Sequence, residues 1–188
     1  WGIDRSDISK RHRPKSKSIG NSQVLMKDYV KSSETKIVLK EIAEQVAARL
    51  RRNGTKTGCV HISVGYSRTD RASGFSRQMK IPPTNSSKEI VFYCLRLFEK
   101  FYDGSVVRNL SVNCSMLSSD EALQLNLFEE PEEVIATHLL DDTVDKIRSV
   151  YGFDSIVHAS SLMEGATAIN RSHLVGGHAG GMEGITWS

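Results

Sequence analysis

Apolar and polar positions along this chain change period several times, and each change marks an element. Residues 18–29 read as a strand. Ser32 and Ser33 then offer N-caps with Glu34 in the first turn, and Val38, Leu39, Ile42, Val46 and Leu50 follow at helical spacing until Asn53-Gly54. Val60, Ile62, Val64 and Tyr66 alternate with His61, Ser63, Gly65 and Ser67, the pattern of a half-buried strand. A turn over Arg68–Ala72 leads to a second alternation, Phe75, Arg77, Met79 and Ile81, which Pro82-Pro83 is expected to end. Ser86 and Glu89 have capping-box spacing before a helix carrying Ile90, Val91, Cys94, Leu95, Phe98 and Phe101, with Asp103-Gly104 beyond it. Val106, Leu110, Val112, Cys114 and Met116 form the apolar side of a last strand.

The order is therefore β-α-β-β-α-β, which predicts an α+β, ferredoxin-like domain: a four-stranded antiparallel sheet with two helices on one face. The other face stays open, with Ser63, Ser67, Ser76, Asn109, Ser111 and Asn113 as its candidates. Tyr66 and Phe75 share their period with apolar residues and are assigned to the core. An acidic stretch, 119–130, separates this domain from a further helix near 131–151. Pro131 suits the first turn of that helix, Leu140, Val144, Ile147 and Tyr151 follow at helical spacing, and Gly152 ends it. Arg171 to His178 is Gly-rich up to residue 181 and is expected to be ordered only if something pins it.

Composition narrows the classes. Of 188 residues, 39% are hydrophobic and 25% charged, enough for a packed core and too apolar for wholesale disorder. No apolar run has the roughly 18 residues of a membrane span. The chain opens on Trp1-Gly2-Ile3-Asp4, without an initiator Met or a signal pattern, and is expected to be a piece of something longer. Cys59, Cys94 and Cys114 are widely spaced, which argues against a disulfide scaffold or a cysteine zinc site and for a reducing, cytoplasmic setting.

Charge changes the picture more. Residues 1–118 hold 22 Lys/Arg and 10 Asp/Glu, a net of +12, and residues 119–188 hold 3 and 12, a net of −9. So basic a block implies a polyanionic partner, with a solvated basic surface as the plain alternative. A flat polar sheet framed by Arg and Lys suits a sugar–phosphate backbone. Single-strand RNA readers place aromatic rings on such a face instead.

Gln124-Leu125-Asn126-Leu127-Phe128 lies in the acidic linker. Its two Leu and one Phe are too few for a core, so they either fold back or enter a partner's groove. Burying them yields about 5–8 kcal/mol. Ordering five residues costs about 1–2 kcal/mol apiece. A residual affinity on the order of micromolar is enough for a tether.

The pentapeptide resembles in full the bacterial sliding-clamp binding motif Gln-Leu-x-Leu-Phe. Lys17-Ser18-Ile19-Gly20, following a basic linker, is similar to the opening of the little-finger domain of Y-family translesion DNA polymerases, whose element order is that of residues 16–118. Trp1–Ser9 resembles the end of the preceding thumb. The tail through Asp145-Lys146-Ile147-Arg148, Tyr151-Gly152-Phe153-Asp154 and Gly176-Gly177-His178 is similar to UmuC-like UV-damage repair polymerases.

The resemblance implies three parts: a thumb end with basic linker (1–15), a DNA-binding little finger (16–118) and an acidic tail with the clamp motif (119–188). It implies primer–template DNA as one partner, with contacts from Arg11, Arg13, Lys15, Lys17, Ser18, Ile19, Gly20, Ser76, Arg77 and Gln78. It implies the sliding clamp, the DNA polymerase III beta subunit, as the other, through Gln124, Leu125, Asn126, Leu127 and Phe128. The parent's nucleotidyl transfer needs palm carboxylates holding magnesium ions. Those lie upstream, so this chain is expected to be inactive alone and without its own cofactor. Glu129-Glu130, Glu132-Glu133 and Asp141-Asp142 are assigned to a helix start or a solvated face, and His138, His158, His173 and His178 lack ligand spacing. Two rivals remain: a stand-alone ferredoxin-like RNA-binding or regulatory module, and a small metal-dependent nuclease.

Overall fold

A computed structural model describes residues 17–68, 73–120 and 131–174. Four strands, β1 (Ile19–Tyr29), β2 (Thr55–Tyr66), β3 (Gly74–Thr84) and β4 (Val107–Ser119), alternate with helices α1 (Ser32–Arg52) and α2 (Ser87–Phe101) in the expected order. Every pairing is antiparallel, and the lateral order is β1-β4-β2-β3. Thus β4 lies between β1 and β2, while β2 lies between β3 and β4. Both β-α-β units are split, and β1 and β3 are the edges.

Both helices cover one face. Their core joins Val38, Leu39, Ile42, Val46 and Leu50 of α1 and Ile90, Cys94, Leu97 and Phe98 of α2 to Val60, Ile62 and Val64 of β2 and Leu110, Val112 and Cys114 of β4. Tyr66 and Phe75 pack against this cluster, as their period required, and meet each other ring edge to ring face. Burial first, then Asp103, pushes the Tyr66 phenol up to about 12.

Three local expectations are corrected. Pro82-Pro83 does not end β3, which runs on to Thr84. The strand is an edge, and an edge tolerates prolines because half of its N–H groups have no strand to pair with. Neither Ser32 and Ser33 nor the Ser86–Glu89 box caps as expected. Lys31 holds the N-cap position of α1 and makes no side-chain cap bond there. Ser86 holds that of α2, but its hydroxyl is buried without a partner among the described residues. The first N–H of α2, on Ser87, instead donates to the Asp141 carboxylate at 2.9 Å. That acid comes from a helix 54 residues on, which no capping-box spacing could show. The turn expected at Arg68–Ala72 lies mostly outside the described residues.

Beyond the sheet, α3 (Pro131–Tyr151) forms where Pro131 and Gly152 bracket it. Gly152 has φ 89°, the left-handed region that suits a helix-ending glycine. Of the apolar positions at helical spacing, Val144 and Ile147 are half-buried while Leu140 and Tyr151 are exposed, so apolar contact alone does not dock it. Ionic groups turn inward instead: Arg51 of α1 grips Asp145 with Nε and Nη2 at 2.7 and 3.1 Å, and its Nη1 lies 3.2 Å from Asp141.

After two short 3-10 turns (Phe153–Ser155 and Ala159–Leu162), α4 (Ala168–Ser172) lies against α1 and β1. The Glu41 carboxylate accepts from the N–H groups of Thr167 and Ala168 and from the Thr167 hydroxyl. Arg171, in the stretch expected to need pinning, is buried and donates to Gln23. Gly165 is required where the strap meets α1, because at φ 91° a Cβ would stand 2.6 Å from that of Glu34. This second cover explains why α1 buries Glu34, Thr35 and Glu41 as well as its apolar stripe. Residues beyond 174 lie outside the described set. Among the described residues no helix is long and apolar enough to cross a membrane.

Candidate nucleic-acid interface

Strand register builds the open face row by row, because side chains alternate between faces. One row crosses all four strands as Ser22, Ser111, Ser63 and Ser76. The next reads Gly20, Asn113, His61 and Gln78, and the one on the other side reads Val24, Asn109, Gly65 and Gly74. A fourth, shorter row holds Ser115, Cys59 and Lys80. These rows present hydroxyl, amide and imidazole groups on short stems, with glycines between them. Gly20 keeps the surface low: a Cβ there would stand 2.7 Å from the Asn113 amide nitrogen. His61 Nε2 and Ser76 Oγ are 2.6 Å apart, tying β2 to the edge strand β3.

Several expected site residues meet here and others do not. Ser76, Gln78 and Gly20 lie on the open face, and Lys17 and Ser18 are exposed at the start of β1. Arg77 is on the helix-bearing side, paired with Ile62, and its guanidinium lies 4.9 Å from the Phe101 ring. It reaches solvent only because β3 is an edge. Ile19, paired with Cys114, packs against the core, so only its backbone is left for a ligand. Ser67 is not on the open face: it is buried and donates to Asp28 at 2.8 Å. Arg11, Arg13 and Lys15 lie outside the described residues, as do Gln124, Leu125, Asn126, Leu127 and Phe128. His61 and Lys80 were missed, although each shares its parity with a polar residue of the same strand.

Charge is sparse on the face itself. Lys80 is its one cation among the described rows, with Lys17 at the corner and Arg77 over the rim. Much of the basic excess faces acids elsewhere: Arg51 meets Asp141 and Asp145, Lys56 meets Asp120, Lys36 meets Glu99 and Arg108 meets Asp28. No Phe, Tyr or Trp stands among these rows. Among the described residues no three His, Cys, Asp or Glu side chains are grouped to hold a metal ion. His158 and His173 each face a single carboxylate, Glu44 and Asp154.

This β-α-β-β-α-β platform coincides with a known domain, the impB/mucB/samB family C-terminal domain, whose model matches residues 16–127. The chain belongs to that family. The match starts at the basic linker's end and runs through the sheet into the clamp-like string, stopping one residue before Phe128. Among curated relatives of this family, UvrX of Bacillus subtilis, named for UV-damage repair, is 40% identical over 178 residues, 94% of this chain and 42% of its own. The protein named DNA polymerase IV 2 of Halalkalibacterium halodurans is 37% identical over 94% of this chain and 43% of its own, and its namesake in Bacillus subtilis gives the same three figures. The chain thus spans less than half the length of these relatives. The matched region is that family's C-terminal domain, and the relatives it matches are named for UV-damage repair and for DNA polymerase IV. A solved complex of the beta-clamp processivity factor with the little finger domain of DNA polymerase IV is similar at TM-score 0.44 and 12% identity, covering 60% of this chain and all of that one.

Proposed function

We propose that this chain holds primer–template DNA for a translesion polymerase and tethers the enzyme to the sliding clamp. The observation that carries the first part is the open face: four rows made mostly of Ser, Asn, His, Gln and Gly, with Lys80 among them and Lys17 and Arg77 at the rim. Hydroxyl and amide donors on a flat sheet can meet phosphate oxygens along a strand, and none of them needs a particular base. Short side chains and glycines let the backbone come close. A polymerase has to slide over any sequence, and a lesion changes bases rather than phosphates, so such a grip suits damaged templates.

The best contacts are Ser63, Ser76, Gln78, His61, Asn109, Ser111 and Asn113 on the face. Lys17, Lys80 and the rim residue Arg77 stand beside them, and Ser18, Ile19 and Gly20 offer backbone groups. Arg11, Arg13 and Lys15 add attraction from the linker. The clamp string, Gln124 to Phe128, supports the second part by its full match to the motif. The parent's magnesium belongs to carboxylates of its other domains, and its setting is cytoplasmic.

One titration series tests both parts. Primer–template duplex is expected to bind more tightly than single-stranded RNA, and replacing His61 and Asn113 together by Ala is expected to weaken duplex binding about tenfold, as loss of two or three hydrogen bonds would. RNA preference would instead favour a stand-alone RNA-binding or regulatory module. Gln124→Ala with Phe128→Ala is expected to abolish capture by the clamp. Retained capture would make the string incidental.

A further inference from the structure

Three strands break their alternation along one line at the end of the open face. In β4, Cys114 and Leu117 both pack on the core, although residues three apart in a regular strand face opposite sides. In β2, Thr57 and Val60 are both fully buried, and in β3 Ile81 and Thr84 are both buried. Each strand therefore carries two successive residues off its buried side: Ser115 and Met116, Gly58 and Cys59, Pro82 and Pro83. Register joins them into one crease, since Thr57 pairs with Leu117 and Thr84, and Cys59 with Ser115 and Lys80. Thr57 holds the crease: its hydroxyl donates to the Ser115 carbonyl at 2.8 Å and accepts from the Cys59 N–H at 3.3 Å. Met116 makes the turn in β4 at φ 54°, the only positive φ outside glycine among the described residues. That conformation is strained for a methionine, and core packing does not offset the strain, because the side chain is 57% exposed. Gly58 stands opposite, where a Cβ would lie 3.4 Å from that of Met116. Pro82 and Pro83 add exposed apolar surface on the far side of the crease. Cations border it: Lys80 pairs with Cys59, and the pairing of Ile19 with Cys114 brings Lys17 alongside the Met116 end of β4. Both lysines are exposed.

We propose that Met116 is a specificity residue that favours deoxyribose over ribose in the bound strand. This rests on the duplex reading above. Successive phosphates of a strand are joined through a sugar, so a backbone held by Lys17 and Lys80 lays sugar against the crease between them. A deoxyribose presents carbon there. A ribose presents its 2′-hydroxyl, which loses water against methionine and proline side chains that offer no strong hydrogen bond in return. An unbranched thioether adapts its shape to the sugar it meets. The discrimination reads no base, which suits a grip that must pass over any sequence. The strained turn has a purpose on this account: it takes Met116 off the buried side of β4 and sets it beside the strand that the polar rows hold.

The test uses the full chain with primer–template duplex DNA and with duplex RNA of the same sequence, each titrated by fluorescence anisotropy. Met116→Asn supplies a residue that tolerates the left-handed backbone and removes the apolar group. Its affinity for DNA is expected to fall about fivefold, the loss of one apolar contact, while its affinity for RNA stays within about twofold. Met116→Leu keeps an apolar side chain and is expected to retain the preference for DNA. The thermal unfolding midpoint of Met116→Asn is expected to hold or rise, as relief of strain requires. Parallel loss of DNA and RNA affinity, or a lowered midpoint, would mark a structural role and overturn the proposal. So would an unchanged preference in Met116→Asn, or equal loss of preference in Met116→Leu. If the unaltered chain binds neither duplex, or binds RNA more tightly, the duplex reading itself fails, whatever Met116 does.

Discussion

Glu41 buries a carboxylate between α1 and α4, where it accepts two backbone N–H bonds and a hydroxyl. Desolvation nevertheless prevails over those bonds and raises its protonation above the ordinary value of 4.5. Burial does the same to Glu44, against the pull of His158 and Arg148. A folded state that holds protons more tightly than the unfolded chain gains stability as pH falls. The contribution of both groups is therefore complete below 4.5 and is lost as pH rises through their raised values. Asp103 and Asp120 are shifted the other way and give up their contributions only at more acid pH, below 3.8. Replacing Glu41 and Glu44 by Gln is expected to flatten the stability profile between pH 7 and 4.5, read by thermal unfolding across that range. A profile as steep as the parent's would mean that other groups set it. Single residues show the limit of sequence reading well. Glu41 sits among apolar α1 positions, and nothing local marks it as the cap of a helix 126 residues away.

At the scale of elements, centre and edge differ. β4 is paired on both sides, and Leu110 in it is fully buried beneath the helices. Leu110→Ala is expected to cost about 2–5 kcal/mol, measured by denaturant unfolding. Val24, on the open face of edge strand β1, is 67% exposed, and Val24→Ser is expected to stay within about 0.5 kcal/mol by the same measurement. Equal costs would mean that the lateral order is wrong. The same distinction explains Pro82-Pro83: proline is a strand breaker in a central position and an acceptable tenant at an edge. Sequence periodicity located β3 but could not say that it lacked an outer neighbour. Helix α3 makes a parallel point. Its ends were legible in Pro131 and Gly152, yet its docking face was not, because acids at helical spacing look like a solvated side until Arg51 is placed opposite.

Across the whole molecule, the division into a +12 and a −9 part is not a division into two separate bodies. The described part of the acidic tail, α3 to α4, docks on the helix layer, pairing with Arg51 and adding a clasp at Glu41. What remains for a polyanion is a modest set of cations at the rim. If Lys17, Arg77, Lys80 and one linker residue each neutralise a phosphate, log K for duplex DNA should fall against log salt with a slope of about −3.6. Filter binding between low and physiological salt measures this. A slope near the full basic count would show that the tail releases its partners on binding, and a flat line would remove the phosphate grip altogether.

From the sequence alone came the order of elements, the assignment of Tyr66 and Phe75 to the core and the pentapeptide, since periodicity and short motifs are properties of neighbouring residues. The lateral order of strands, the placing of Arg77 behind the face that carries Ser76 and Gln78, and the docking of the tail belong to the tertiary structure. Each depends on contacts such as Arg51 with Asp145, 94 residues apart, and a pairing across that distance leaves no period in the chain to read.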